Sequence, residues 1–321
     1  MRRVTFLGWL VILPLLAATT WGEVSLVEQR LSADALIWAN CCWQQTEVIG
    51  LTDSRFDFYR RAAFIGLTGH ISSVASMRVY FDLASISAYD LYIDFHWPSG
   101  FGLRVGQFIP PLGFEAWAKL CELKLIEYSL ISHHWKPWGS RDIGLMTSYE
   151  RNLFEVAGAL VNGNGRNNEY DENKWKDMCG CFVFKPSASS GLKFACRGYY
   201  GRYYKEDVQF WNLAGEVLLD RESLQALAEV QHAVWGVPVR NSFHVQAAYE
   251  LFGILEPVAR FEIEFQSEDK HEFGVTVGLN FLAFGDRLKT MLDYNYWRRN
   301  STMSENRVSQ QKILIQLQVG I

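Results

Sequence analysis

The chain has 321 residues and a formal net charge of −4, and this lack of a basic excess argues against a nucleic-acid partner. Aromatic residues make up 15% of it while mean hydropathy is −0.05, which excludes a bundle of membrane-spanning helices. A soluble protein and a membrane β-barrel both remain compatible with these values.

The N-terminus predicts an export signal. Arg2 and Arg3 precede an apolar run over residues 4–16, and small residues follow up to Gly22. The run is short for a membrane-spanning helix, so we interpret residues 1–22 as a cleaved signal peptide. Residues 23–321 contain no linker and are predicted to form one domain.

Alternating apolar and polar residues recur along the rest of the chain, bounded by turn-forming residues. Beyond Tyr89, for example, Tyr89, Leu91 and Ile93 form one face and Asp90 and Asp94 the other. The predicted strands lie near residues 31–40, 56–68, 74–84, 87–97, 101–108, 141–150, 152–162, 177–186, 191–200, 208–220, 222–235, 241–252, 257–266, 271–284, 286–297 and 308–321. About sixteen such segments predict an all-β fold, a transmembrane antiparallel β-barrel with apolar side chains outside and polar ones inside.

The lengths of the connections favour the same fold. If the N-terminus lies on the periplasmic side, every second connection should be tight, and Arg151-Asn152 and Gly285-Asp286 are examples. The alternate set contains four long connections, at residues 41–55, 109–140, 163–176 and 298–307. A soluble β-sandwich has no reason for such an asymmetry.

The longest connection follows the strand at residues 101–108, which Pro110 and Pro111 end because proline donates no hydrogen bond. The period then changes, and one helical stripe is predicted at Phe114, Trp117, Ala118, Cys121 and Leu125. Because this connection is aromatic and apolar, we expect it to pack inside the barrel.

Two motifs in this region carry a resemblance to a known family. Val105-Gly106-Gln107-Phe108 with Pro111-Leu112-Gly113-Phe114-Glu115, and Ser140-Arg141-Asp142-Ile143-Gly144 further on, resemble the phosphate-selective porin O and P family of Gram-negative outer membranes. The resemblance implies a sixteen-stranded outer-membrane β-barrel domain over residues 23–321, usually trimeric and embedded in outer-membrane lipid, with an inward-folded third external loop. It implies a porin for passive diffusion of small ions or polar solutes, including anions such as phosphate, through a bore narrowed by loop 109–140.

The predicted lumen is lined by charges of both signs, and opposed charges across a wet bore filter solutes by charge. The predicted pore-lining residues are Arg78, Asp82, Asp90, Asp94, Arg104, Lys193, Arg197, Arg260, Glu262, Glu264 and Lys289. The constriction loop is expected to add Glu115, Lys119, Glu122 and Lys124. No lysine cluster is present, so the sequence departs from the pattern on which the family's phosphate selectivity rests.

The sequence also contains residues that could serve catalysis or metal binding. Ser140 lacks the glycine pattern of a nucleophile elbow, and the adjacent His133 and His134 point apart. The pair Glu262 and Glu264 has no companion pocket, so pore lining is preferred over acid–base catalysis. No metal or cofactor site is predicted. Two alternatives stay open: an outer-membrane barrel enzyme, and a secreted or surface β-protein with a binding role.

Six cysteines are many for an exported barrel. Cys179 and Cys181 share one strand face, whereas Cys196 falls in the opposite phase on the next strand, which disfavours a bond between Cys181 and Cys196. The spacing favours small apolar side chains and leaves one loop disulfide open.

Overall fold

The computed structural model describes residues 31–320 apart from 119, 135–140, 171–172, 188, 204–207, 237–238, 268–269, 286 and 302–307. The predicted signal peptide, residues 1–22, lies outside the described residues, and so does the predicted constriction residue Lys119.

Sixteen antiparallel strands in the described ranges close into one barrel, in which each strand pairs with its neighbours in sequence and β16 pairs with β1. The strands are β1 Leu31–Val48, β2 Leu51–His70, β3 Ala75–Asp82, β4 Ser87–His96, β5 Phe101–Phe108, β6 Asp142–Arg151, β7 Phe154–Val161, β8 Asp177–Phe184, β9 Leu192–Tyr203, β10 Val208–Arg221, β11 Leu224–Trp235, β12 Val239–Tyr249, β13 Leu255–Gln266, β14 Lys270–Leu282, β15 Leu288–Ser301 and β16 Val308–Gly320. The predicted all-β fold, an antiparallel barrel of sixteen strands, is therefore confirmed.

Side chains alternate between the two faces of the wall as the sequence pattern predicts. Ile93, Phe261 and Ile315 are exposed on the outer face, at 46%, 41% and 43%. Glu262 and Gln316, on the inner face, are buried. A barrel that is apolar outside and polar inside suits a bilayer, because closure leaves no unpaired strand edge in the hydrocarbon.

The first hairpin differs from its prediction. Residues 41–55 are not a long loop, because β1 and β2 stay paired from Leu31↔Gly69 to Val48↔Leu51. The turn between them is only Ile49 and Gly50, with φ of 52° and 75°. Two successive positive φ values match the twist of flanking strands and permit a two-residue hairpin. Polar residues such as Gln44 and Gln45 read as loop but lie within the ladder.

Tyr89 was predicted to share the face of Leu91 and Ile93, and this prediction is wrong. The register between β3 and β4 shifts where Tyr80 pairs with Asp90 and Phe81 pairs with Ala88, so Tyr89 is an extra residue. A bulge of this kind redirects a side chain. The Tyr89 ring contacts inward-facing rings, with its centroid 4.7 Å from that of Phe64 and 6.5 Å from that of Tyr80.

The connection between β5 and β6 contains short helices instead of the single predicted stripe. They are α1 Phe114–Trp117, a 3₁₀ turn Leu120–Glu122 and α2 Leu130–His134. No helix in the described part of the chain is long and apolar enough to cross a membrane.

The two ends of the barrel differ, as the connection lengths predict. The end that holds Leu31 and Gly320, here called the turn end, has the tight turn at residues 152–153. The opposite end, here called the loop end, has the long connections 109–141 and 162–176. The loop predicted at residues 298–307 begins later than expected, because β15 continues to Ser301. Residues 302–307 lie outside the described ranges.

Candidate functional site

The described residues of segment 109–141 lie against the inner wall, and cations of the wall hold carbonyl groups of the segment. Lys289 on β15 is fully buried, and its Nζ donates to the carbonyls of Cys121 and Leu123 at 3.0 and 2.9 Å. Arg260 on β13 donates from Nη1 to Glu127 O at 3.0 Å and from Nη2 to Tyr128 O at 3.3 Å. These bonds take the place of helical ones, which explains why the predicted helix is broken.

Carboxylates of the wall hold the amides of the same segment. Ile126 N donates to Asp293 Oδ2 and Leu130 N donates to Glu262 Oε2, each at 2.7 Å. Hydrogen bonds to a charged group are stronger than neutral ones, so the two acids fix the path of the backbone.

Two further ion pairs attach the segment to the wall. Lys124 Nζ lies 2.6 Å from Glu256 Oε1 on β13, and Lys312 Nζ on β16 lies 2.8 Å from Glu127 Oε1. The segment and the wall each contribute one cation and one anion to these pairs, so each of the four charged groups faces a counter-ion.

Glu115 connects the two ends of the segment to the wall. Its carboxylate accepts from Ser129 N and Ser132 Oγ, each at 2.8 Å, and pairs with Arg260 Nη1 at 3.2 Å. Burial alone would raise the pKa of this carboxyl, but the Arg260 charge and the Ser129 bonds outweigh it and hold the pKa below its ordinary value. Glu115 therefore stays ionised and bound at neutral pH.

The opposite wall, from β1 to β6, carries a row of arginines that each hold an aspartate. Arg78 grips Asp34 in a bidentate pair at 2.9 and 3.0 Å. Arg104 grips Asp94 with Nε and Nη2, at 3.3 and 2.9 Å. At the loop end, Arg141 Nε lies 2.9 Å from Asp90 Oδ1.

Tyrosine rings support the same row. The guanidinium carbons of Arg78 and Arg104 lie 5.0 and 4.1 Å from the ring centroids of Tyr80 and Tyr92. The rings limit the freedom of the guanidinium groups, so their charges stay fixed on this wall.

The bulged Tyr89 extends the row to the loop end. Arg141 lies 4.6 Å from its ring centroid and Arg166, from connection 162–176, lies 4.2 Å from it. Asn167 beside Arg166 donates from its backbone to Gln107 Oε1 at 2.6 Å, which docks this connection onto β5.

Segment 109–141 borders three cavities inside the barrel. The largest, about 620 Å³, lies between the segment and the arginine row, and includes Asp34, Arg78, Arg104, Trp117 and Arg141 in its lining. A second, of about 590 Å³, includes Glu127, Arg260 and Lys312. A third, of about 290 Å³, is bordered by β7–β12.

The predicted pore-lining residues lie on the inward face but separate into groups with different contacts. Arg78, Asp90 and Arg104 line the largest cavity, and Lys193 and Arg197 the smallest. Arg260 and Glu262 line the cavity of about 590 Å³, and both of them, together with Lys289, bind segment 109–141. Glu264 pairs with Arg240 and Ser242 within the wall, and Asp82 accepts from Ala84 N and Ser85 Oγ in the next turn.

The predicted loop residues behave differently from one another. Glu115 and Lys124 are attachment points, whereas Glu122 is exposed beside the smallest cavity. The predicted lining set did not include Asp34, Trp117, Arg141 and Arg287, which border the largest cavity. Asp34 is in the inward phase of β1, and Arg141 directly precedes β6, so the strand pattern carried a signal for both.

The cysteines form no disulfide in the described residues. Cys179 and Cys181 are buried, and Cys196 is exposed on the opposite face. No group of three or more metal-ligating side chains occurs within the described ranges.

Comparison with known proteins bears on both fold and family. The model of the family described as phosphate-selective porin O and P matches residues 43–208. No curated protein matches the sequence significantly.

Solved structures with a similar fold are outer-membrane barrels. The anion-selective porin from Comamonas acidovorans has a TM-score of 0.69 at 12% identity, over 91% of this chain and 99% of that one. The outer membrane channel DcaP of Acinetobacter baumannii has a TM-score of 0.69 at 9% identity, over 90% and 96%. A trimer form of OmpT from Vibrio cholerae has a TM-score of 0.59 at 10% identity, over 90% and 100%.

Proposed function

This chain belongs to the phosphate-selective porin O and P family and is an outer-membrane porin, and from its interior we infer how it conducts. We propose that small ions and polar solutes diffuse passively between segment 109–141 and the arginine row. The observation that carries the proposal is the cavity of about 620 Å³ that these two surfaces enclose. Transport down a gradient requires neither a cofactor nor a catalytic step, so we propose no enzymatic activity.

The charges of the cavity favour anions. Arg78, Arg104, Arg141 and Arg287 line it, against Asp34 and Asp90. Fixed positive charges in a confined, water-filled space raise the local concentration of anions. The likeness to an anion-selective porin supports the same preference.

Specificity for inorganic phosphate is not part of this proposal. Lys124, Lys289 and Lys312 are engaged with segment 109–141 or its wall partners. They cannot at the same time form the lysine cluster that tight phosphate capture uses. We propose a general preference for small anions.

The surroundings of the barrel follow from the same reasoning. The exposed apolar outer face supports outer-membrane lipid as a partner. The likeness to a trimer form of OmpT supports a homotrimer. We also propose that residues 1–22 are removed on export.

Planar-bilayer recording tests the proposal. Reconstituted protein should give discrete current steps. In a potassium chloride gradient, the reversal potential should have the sign expected of a channel that is more permeable to chloride than to potassium. Deleting residues 114–127 should raise the conductance, because the segment then no longer divides the bore. Absence of current steps would overturn the channel, and unchanged conductance after the deletion would overturn the constriction.

A further inference from the structure

The largest cavity has two walls of unlike chemistry. Its barrel side carries arginines, aspartates and tyrosines, including Arg78, Arg104 and Tyr92. Its other side consists of Ile109, Trp117, Ala118 and Cys121, from the first part of segment 109–141. A bore that serves only hydrated ions has no need of an apolar wall opposite its charges, because apolar surface does not replace a hydration shell.

The charged wall can bind a carboxylate. A guanidinium has five N–H donors, and the bonds from Arg104 to Asp94 use its Nε and Nη2. The side chains of Arg78 and Arg104 are 24% and 20% exposed, so solute can reach both. Tyr92 beneath Arg104 holds that group in one orientation, which favours planar recognition of a carboxylate.

The apolar wall can bind a flat ring. Trp117 borders both the largest and the smallest cavity, so its ring stands at the partition between them. The Arg197 guanidinium lies 5.2 Å from the Trp117 ring centroid, which supports the indole from one side. An aromatic ring stacks favourably on such an indole.

We propose that this cavity binds aromatic carboxylates, with the carboxylate toward Arg78 and Arg104 and the ring against Trp117. The assignment rests on the proposed function, since it names the solutes that the anion-preferring bore favours. The volume of about 620 Å³ accommodates a single small aromatic acid with its water. Inorganic phosphate fits less well, because the apolar wall would strip water from a compact anion and return no hydrogen bonds.

Equilibrium binding to the detergent-solubilised full chain tests the site, with benzoate, acetate and benzyl alcohol as probes in isothermal titration. Benzoate should bind in the millimolar range and about tenfold more tightly than acetate, which lacks the ring. Benzyl alcohol, which lacks the charge, should bind about tenfold more weakly than benzoate. Equal affinities for benzoate and acetate would overturn the proposal.

Variants locate the site. Trp117→Ala should reduce the benzoate preference over acetate to near unity, whereas Trp117→Phe should retain most of it. Trp297→Ala is the matched control, because Trp297 lines the cavity of about 590 Å³ instead. Heat-modifiable migration on gels verifies that each variant is folded. An undiminished benzoate preference in Trp117→Ala, or an equal loss in Trp297→Ala, would overturn the assignment.

Bilayer recording separates this inference from the channel function. Benzoate should reduce the potassium chloride current of the wild type at lower concentration than acetate does. Protein that binds benzoate through Trp117 but carries no current would refute the channel and leave the site intact. Protein that conducts but binds benzoate no better than acetate would refute the site and leave the channel intact.

Discussion

Replacing Arg260 with glutamine should release segment 109–141 while the barrel stays closed. Arg260 pairs with Glu115 at 3.2 Å and donates to the carbonyls of Glu127 and Tyr128 at 3.0 and 3.3 Å. Removing one partner of a buried ion pair costs about 3–5 kcal/mol, because the other charge stays buried without its counter-ion. The backbone ladders of β13 do not depend on this side chain, so the wall should persist.

The magnitude can be checked with a double variant. A cost of about 3 kcal/mol lowers the ratio of docked to released segment by more than about 100-fold. Arg260→Gln with Glu115→Gln removes both charges, and neutral groups of similar volume are far less costly to bury. The double variant should therefore hold the segment more firmly than Arg260→Gln alone. Arg240→Gln is the control, since Arg240 pairs with Glu264 inside the wall.

Limited proteolysis in detergent measures the release. Trypsin should cut at Lys124 in Arg260→Gln more than about 100-fold faster than in the wild type, because cleavage tracks the released population. Arg240→Gln should resist as the wild type does, and the single-channel conductance should rise only in Arg260→Gln. Wild-type resistance in Arg260→Gln, or a double variant no more resistant than the single one, would refute the reasoning.

Three further predictions concern acid, a thiol and a glycine. Because its pKa is lowered, the contribution of Glu115 to docking is present above the ordinary carboxyl pKa of about 4.3 and is lost only as pH falls through the lowered value. Conductance should therefore rise as pH falls below about 4.3, and the rise should be smaller in Glu115→Gln, in which only the other carboxylates of the attachment titrate. An equal rise in both proteins would contradict the role of Glu115. A charged, water-soluble thiol reagent should lower the conductance by modifying Cys121, which lines the largest cavity. The conductance of Cys121→Ser should not respond to the reagent. An unchanged conductance in the wild type would contradict the position of Cys121 in the cavity. Gly144→Ala should lower the unfolding temperature in detergent, because its Cβ would lie 2.0 Å from the Leu160 carbonyl oxygen. Gly158→Ala, on the neighbouring strand, should leave the unfolding temperature higher than Gly144→Ala does, because its Cβ would enter open space. Equal unfolding temperatures for the two variants would contradict the register of β6 and β7.

The barrel could be predicted from sequence because its cause is local. Alternation at Ile93 or Phe261 depends only on which side of the wall meets lipid, and each strand repeats that requirement. The strand β5, Phe101–Phe108, was predicted to the residue because two prolines end it and glycine begins it. Inward phase likewise placed Arg78 and Arg104 on the correct face.

The contacts of the interior could not be predicted because they join residues distant in sequence. Nothing near Glu115 indicates that Arg260 is its partner, since 145 residues separate them. The broken helix has the same origin, because its competing hydrogen bonds come from Asp293 and Lys289 on β15. The bulge at Tyr89 is set by pairing with β3, which alternation along one strand does not reveal.

The aspartates of the arginine row set how briefly a solute stays. Arg78 and Arg104 already hold Asp34 and Asp94 through bidentate bonds, so an arriving anion must share a guanidinium with a resident acid. Sharing weakens the grip, and for an unchanged arrival rate a weaker grip means faster departure. The rate of diffusion through a pore is limited by the slowest dissociation step along it. The resident aspartates therefore favour rapid release of anions, whereas arginines without aspartate partners would bind them longer.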